Sequence, residues 1–186
     1  MGSVPQARRC AAGIVLARQP SWDAFRRSGR PDASQVRTSV VQHGGQSTRP
    51  GAYPSAREAF DGLINDVVRR EGFADAHDRV AFVGVSQGAI VTLDAVASGR
   101  WKVGALVAFS GLLPPQPVSP ASNSTPVLLV HGENDTTIPP MASRLAAAQL
   151  ATAGFKVELD VERGTGHTIS SAGVQKALSF LKKTLL

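Results

Sequence analysis

Four short apolar runs, RVAFVG (79–84), VGALVAF (103–109), PVLLVH (126–131) and FKVELDV (155–161), are separated by stretches whose apolar residues recur at helical spacing. Strands that are apolar on both faces and alternate with helices predict a mostly parallel sheet covered by helices on each side, an α/β architecture. The helical stretches are legible one by one. Ser55 and Glu58 form a capping box ahead of Phe60, Leu63, Ile64, Val67 and Val68, and Gly72 stops that helix. Residues 87–99 follow the first run, and Pro139 and Pro140 open a helix through Leu145 and Leu150 to Gly154. Ser170 or Ser171 caps a last helix carrying Val174, Leu178 and Leu181. Residues 155–161 alternate, with Phe155, Val157, Leu159 and Val161 on one face and Lys156, Glu158 and Asp160 on the other, which suits an edge strand. The pattern as a whole predicts about five strands and four helices in residues 55–186.

Residues 1–50 are less regular. GIVLA (13–17) and SVVQ (39–42) read as strands and RRSGRPDASQ between them as loop. The net charge of +6 sits entirely here: eight Arg face only Asp23 and Asp32, whereas residues 51–186 balance at twelve basic and twelve acidic residues. A nucleic-acid surface would interleave aromatics with its cations, and this segment does not, so no nucleic-acid partner is expected. The run CAAGIVLA is eight residues long and ends in Arg18, a poor signal peptide, and no run reaches the length of a membrane span. Cys10 is the single cysteine, which excludes an internal disulfide and fits a reducing, cytoplasmic compartment. With no repeat or linker after residue 55, the expectation is one domain over 1–186: an atypical Arg-rich segment (1–50) and a catalytic core (55–186).

Chemistry is concentrated at AFVGVSQGAIVTL, residues 81–93. Here G-x-S-x-G stands between a strand and a helix, the setting of a nucleophile elbow: the sharp turn lifts the Ser86 hydroxyl above the carboxyl edge of the sheet, and the glycines remove side chains that would collide there. The backbone N–H of Gln87 is aimed at an oxyanion. A hydroxyl needs a base, and in this architecture the acid and the histidine follow the serine. Only His131 and His167 lie downstream. His131 ends an apolar strand and reads as structural, bonding the loop that carries Asp135. His167, in the loop RGTGHTIS, is free to reach back as general base. In HGENDTTIPP, Asp135 is favoured over a solvated Glu133 as the acid that orients His167.

Together, GVSQGAI, VAFSGLLP, PVLLVHGENDTTIPP and GTGHTIS resemble the carboxylesterase/phospholipase family of α/β hydrolases, to which the acyl-protein thioesterase-like enzymes also belong; the resemblance covers residues 55–186. It implies an α/β-hydrolase fold without a lid domain. It also implies a serine esterase without metal or other cofactor, acting on carboxylic or thio esters of small molecules through an acyl-enzyme. Carried onto this chain, it gives the triad Ser86, Asp135 and His167, one oxyanion donor at Gln87, and Leu112 and Leu113 on the acyl side. The stretch after the second run is too short for a helical lid, so acyl chains of about two to six carbons are expected. A lactone or dienelactone-type hydrolase of the same fold, and a catalytically weak binding protein that keeps the pocket, remain alternatives.

The family's second oxyanion donor comes from an early His-Gly-rich loop. The sole counterpart here is VVQHGGQ, with His43, Gly44 and Gly45, closer to Ser86 than the family's loop. It is either a displaced oxyanion loop, with Gly44 as donor, or an accidental match; losing one donor costs about 10²- to 10³-fold in rate. Residues 1–50 must also supply strands to the sheet. The expected outcome is either an ordered segment with HGG near Ser86 in a monomer, or a homodimer built through this region.

Overall fold

A computed structural model describes residues 10–17, 36–43, 52–119 and 125–185. The elements are β1 (Cys10–Ala17), β2 (Val36–His43), α1 (Ala52–Arg70), a 3₁₀ turn (His77–Arg79), β3 (Val80–Val85), α2 (Gln87–Ala97), β4 (Ala105–Phe109), β5 (Val127–Gly132), α3 (Met141–Thr152), β6 (Val157–Glu162) and α4 (Ser171–Leu185). The six strands form one sheet in the order β2-β1-β3-β4-β5-β6. From β3 to β6 the pairing is parallel, while β1 runs antiparallel to both β2 and β3.

The parallel strands are apolar on both faces because each face carries a core. Phe82, Leu106, Ala108 and Leu129 meet Phe60, Ile64 and Val68 of α1, Leu93 and Val96 of α2, and Ala146 and Leu150 of α3. The alternate residues Ala81, Val107, Leu128 and Val130 meet Ala177 and Phe180 of α4 on the opposite face. This is the α/β-hydrolase arrangement, a mostly parallel sheet with helices on both sides. Removing Phe82, fully buried between α1 and Trp101 with aromatic contacts at 5.8 and 5.7 Å, would cost about 3–5 kcal/mol.

Several elements differ from the sequence expectation. Among the described residues of 55–186 there are four strands, where about five are expected. α1 begins at Ala52, so Ser55 lies within the helix rather than at the position before it; Pro54 falls in the first turn, where the N–H groups have no intrahelical acceptor. Its end is as read: Gly72 takes φ +77° and the N–H of Phe73 reaches the Val68 carbonyl at 2.7 Å, a Schellman closure that buries Phe73. Pro139 and Pro140 precede α3 rather than occupying its first turn, and Leu145 faces outward while Ala146 and Leu150 pack. On α4, Val174 and Leu178 are exposed, and Gly173, Ala177 and Phe180, one position away, form the buried stripe. At Gly173 the helix lies close to the sheet: a Cβ there would stand 3.2 Å from the Val130 side chain and 3.1 Å from the Glu162 carboxylate, a tight fit. Ser170 caps this helix, accepting the Gly173 N–H at 2.9 Å.

β6 is an edge strand as expected. Val157 and Leu159 lean on the α1–α3 core, and the charged face meets α4, where Lys176 pairs with Asp160 at 3.0 Å. At the other end the N-terminal strands pair as a hairpin. Ala12 lies opposite Gly84 and Cys10 opposite His43, so β2 ends at the same sheet edge as β3. It stands one strand further out, two interstrand steps or roughly 10 Å away.

Candidate active site

The turn after β3 is held from three sides. Ser86 sits at φ 53°, ψ −118°, a conformation costing on the order of 1–3 kcal/mol. Its N–H is fixed by the Phe109 carbonyl at 2.9 Å, and its carbonyl accepts the first helical bond of α2 from Ile90 at 3.1 Å. Gly84 makes the turn possible, since a Cβ there would stand 2.6 Å from the backbone of Ala89. Gln87 begins α2 with its side chain exposed; its backbone N–H is among the first-turn donors that lack an intrahelical acceptor.

Two loops bring the partners in. His167 follows β6 in a turn shaped by Gly164 at φ +69°. Its Nε2 lies 2.9 Å from Ser86 Oγ and its Nδ1 lies 2.7 Å from Asp135 Oδ2. A carboxylate only accepts, so Nδ1 carries the proton and Nε2 offers its lone pair to the Ser86 hydroxyl. Asp135 is buried in the turn after β5, where Oδ1 accepts the N–H groups of Thr137 at 2.8 Å and Ile138 at 3.0 Å. Burial pushes this carboxyl up, but the N–H of Ile138, the bond to His167 and the N–H of Thr137 outweigh it, leaving the group below its ordinary value.

The acid and histidine loops are laced together by backbone bonds from Glu133 to Glu162 (2.8 Å) and from Asn134 to Thr165 (2.9 Å). That lacing needs Gly132, because a Cβ there would overlap the carbonyl oxygens of Thr165 and Gly166 and stand 2.7 Å from the Thr165 carbonyl carbon. The glycine's importance is invisible in sequence, where it reads simply as the end of a strand.

The structure thus brings Ser86, Asp135 and His167 into one hydrogen-bonded chain, with Glu133 exposed beside it. His131 does bond the acid loop, placing Nε2 2.8 Å from the Ile138 carbonyl. Leu112 and Leu113 are half-buried, and Leu113 packs partly into the α1–α3 core. Gly44 and Gly45 lie outside the described residues. Ser110, at the end of β4 next to the elbow, is buried at φ 48°, and its Oγ has no hydrogen-bond partner among the described residues. Among the described residues no group of three or more His, Cys, Asp or Glu could hold a metal ion, and no helix is long and apolar enough to cross a membrane. A cavity of ≈ 660 Å³ between residues 116–118 and the end of α3 includes none of the three hydrogen-bonded residues.

The model of the phospholipase/carboxylesterase family matches residues 54–185. The chain is 33% identical over 105 residues to the esterase YpfH of Escherichia coli strain K12, covering 56% of this chain and 45% of that protein. It is 28% identical over 148 residues to acyl-protein thioesterase 1 of Debaryomyces hansenii, covering 71% and 63%. Among solved structures it resembles esterase PE8, with a TM-score of 0.60 at 31% identity over 71% of this chain and 61% of that one. The carboxylesterase of Bacillus cereus superposes with a TM-score of 0.68 at 17% identity over 82% and 77%, a likeness of fold alone. The chain spans about half the length of most of the curated relatives it matches.

Proposed function

The chain belongs to the phospholipase/carboxylesterase family, and from that premise we propose that it is a serine carboxylesterase cleaving short-chain carboxylic or thio esters through an acyl-enzyme, on one domain whose catalytic core is residues 55–186. The observation that carries this reading is the chain of hydrogen bonds from Ser86 through His167 to Asp135, at 2.9 and 2.7 Å.

In the proposed reaction, His167 Nε2 takes the Ser86 proton as Oγ attacks the ester carbonyl carbon. Asp135 holds the Nδ1–H tautomer and stabilises the imidazolium. The Gln87 N–H donates to the oxyanion, with Gly44 the candidate second donor. Collapse of the tetrahedral species breaks the bond to the leaving alkoxide or thiolate, which leaves with the proton from His167. Water then attacks the acyl-serine, gives a proton to His167, and releases the carboxylic acid; Ser86 recovers its proton. None of these steps calls for a cofactor.

Leu112 and Leu113 border the proposed acyl side. Leu113 is already partly engaged in the core, which leaves a short apolar wall. A long acyl chain would keep methylenes in water, forgoing roughly 0.8 kcal/mol each, so we infer a preference for about two to six carbons. The test is a p-nitrophenyl ester series run with Ser86→Ala and with fluorophosphonate labelling. Labelling at Ser86, a maximum at short chains and loss of turnover in the variant are expected. Wild-type turnover by Ser86→Ala would refute the nucleophile; a maximum at twelve carbons would refute the substrate size.

A further inference from the structure

A second histidine is built into the support of the acid. His131, at the end of β5, is buried and has three polar neighbours. Nε2 lies 2.8 Å from the Ile138 carbonyl and 3.2 Å from Asp135 Oδ2; Nδ1 lies 2.6 Å from Ser143 Oγ. The tautomer follows from these partners. A carbonyl and a carboxylate only accept, so Nε2 carries the proton. Nδ1 is then an acceptor, and the Ser143 hydroxyl donates to it. The alternative acceptor for that hydroxyl, the Gly111 carbonyl, is 3.3 Å away, and one proton serves the shorter bond.

We propose that His131 is a positioning residue for the acid of the triad: Ser143 in the first turn of α3 fixes its ring, and its Nε2–H pins the turn 135–138 so that Asp135 presents Oδ2 to His167. The connection is continuous. His131 holds the Ile138 carbonyl, the Ile138 N–H holds Asp135 Oδ1 at 3.0 Å, and Asp135 Oδ2 receives His167 Nδ1–H at 2.7 Å. The Ile138 N–H is one of the donors that hold the Asp135 carboxyl below its ordinary value against its burial. The proposal rests on reading Ser86, His167 and Asp135 as the triad.

The experiment compares Ser143→Ala, His131→Leu and His131→Gln with wild type. It measures kcat and KM on p-nitrophenyl acetate, the rate of fluorophosphonate labelling, and urea unfolding. In His131→Gln the side-chain carboxamide can still donate to the Ile138 carbonyl; in His131→Leu the side chain cannot. Because a misplacement of about 1 Å costs on the order of 10²-fold, His131→Leu should lower kcat about 10- to 100-fold with KM unchanged, and labelling should slow in parallel. Ser143→Ala should show the same split at a smaller size, and His131→Gln should recover most of the loss. Wild-type kcat in Ser143→Ala and His131→Leu would overturn the proposal, as would His131→Gln being as impaired as the leucine variant. If His131→Leu does not fold, Ser143→Ala and His131→Gln decide: a fall in kcat alone for the first and near-recovery for the second support the proposal, and wild-type kcat in the first overturns it. Ser86→Ala is run alongside, and retained turnover there would overturn the triad itself, a failure distinct from normal kcat in the support variants.

Discussion

Alanine at position 132 adds one carbon where the acid loop and the histidine loop cross. That Cβ would stand 2.7 Å from the Thr165 carbonyl carbon, with the carbonyl oxygens of Thr165 and Gly166 nearer still, and all three are backbone atoms that cannot rotate away. Reaching an ordinary contact of 3.4 Å requires the strands of chain to part by at least about 0.7 Å at the carbonyl carbon, and by more at the two nearer oxygens. His167 follows Gly166 directly. A shift of that size carried to its ring takes the 2.9 Å contact with Ser86 to about 3.6 Å, beyond hydrogen-bonding reach. It also strains the Asn134–Thr165 bond. Overpacking of this kind costs about 1–3 kcal/mol of stability, and the displacement should cost kcat about 10- to 100-fold without raising KM. The assay is ester turnover together with urea unfolding. Gly164→Ala is the comparison: its φ of +69° makes alanine unfavourable by about 1–2 kcal/mol, yet nothing lies within 4 Å of the new carbon. Gly164→Ala should therefore lose stability with little loss of kcat. Wild-type kcat in Gly132→Ala would refute the idea that the crossing sets the position of His167.

Asp135 has a folded-state pKa below its ordinary value, so the native state binds its proton more weakly than the unfolded chain does. Its contribution to stability is complete above the ordinary carboxylate range and is lost as pH falls through that range towards the folded value; unfolding monitored against pH should show this slope, and a flat profile would contradict it. Deleting residues 1–43 strips β1 from the edge of β3, where Leu16 to Ala12 pair with Val80 to Gly84, and should give aggregation or new self-association. A truncated chain that stayed monomeric and fully active would show the hairpin to be dispensable.

How much of this was legible beforehand follows from the range of the forces involved. The elbow is local: Gly84, Ser86 and Gly88 lie within one turn, and the crowding that requires Gly84 involves Ala89, five residues away. The alternation of apolar runs and helical stretches is local too, so the parallel sheet could be read directly; the order serine, acid, histidine proposed for the site came from the family resemblance. Register on a helix is not local. Val174, Leu178 and Leu181 form as good a stripe in the sequence as Gly173, Ala177 and Phe180, yet Ala177 and Phe180 meet Val130 and Leu128 of the sheet, Leu181 packs only partly beside them, and Val174 and Leu178 face outward. The same holds for Gly132, which is needed because of a loop more than thirty residues later, and for His131, whose ring is set by Ser143 and Ile138. Sequence by itself determined which residues are candidates for the proposed chemistry, since a serine on a strained strand-to-helix turn is written in the glycines two residues to either side of it. Tertiary structure alone decided what holds them in place, because those constraints are close contacts between segments far apart in the chain, where the spacing of residues carries no record of distance.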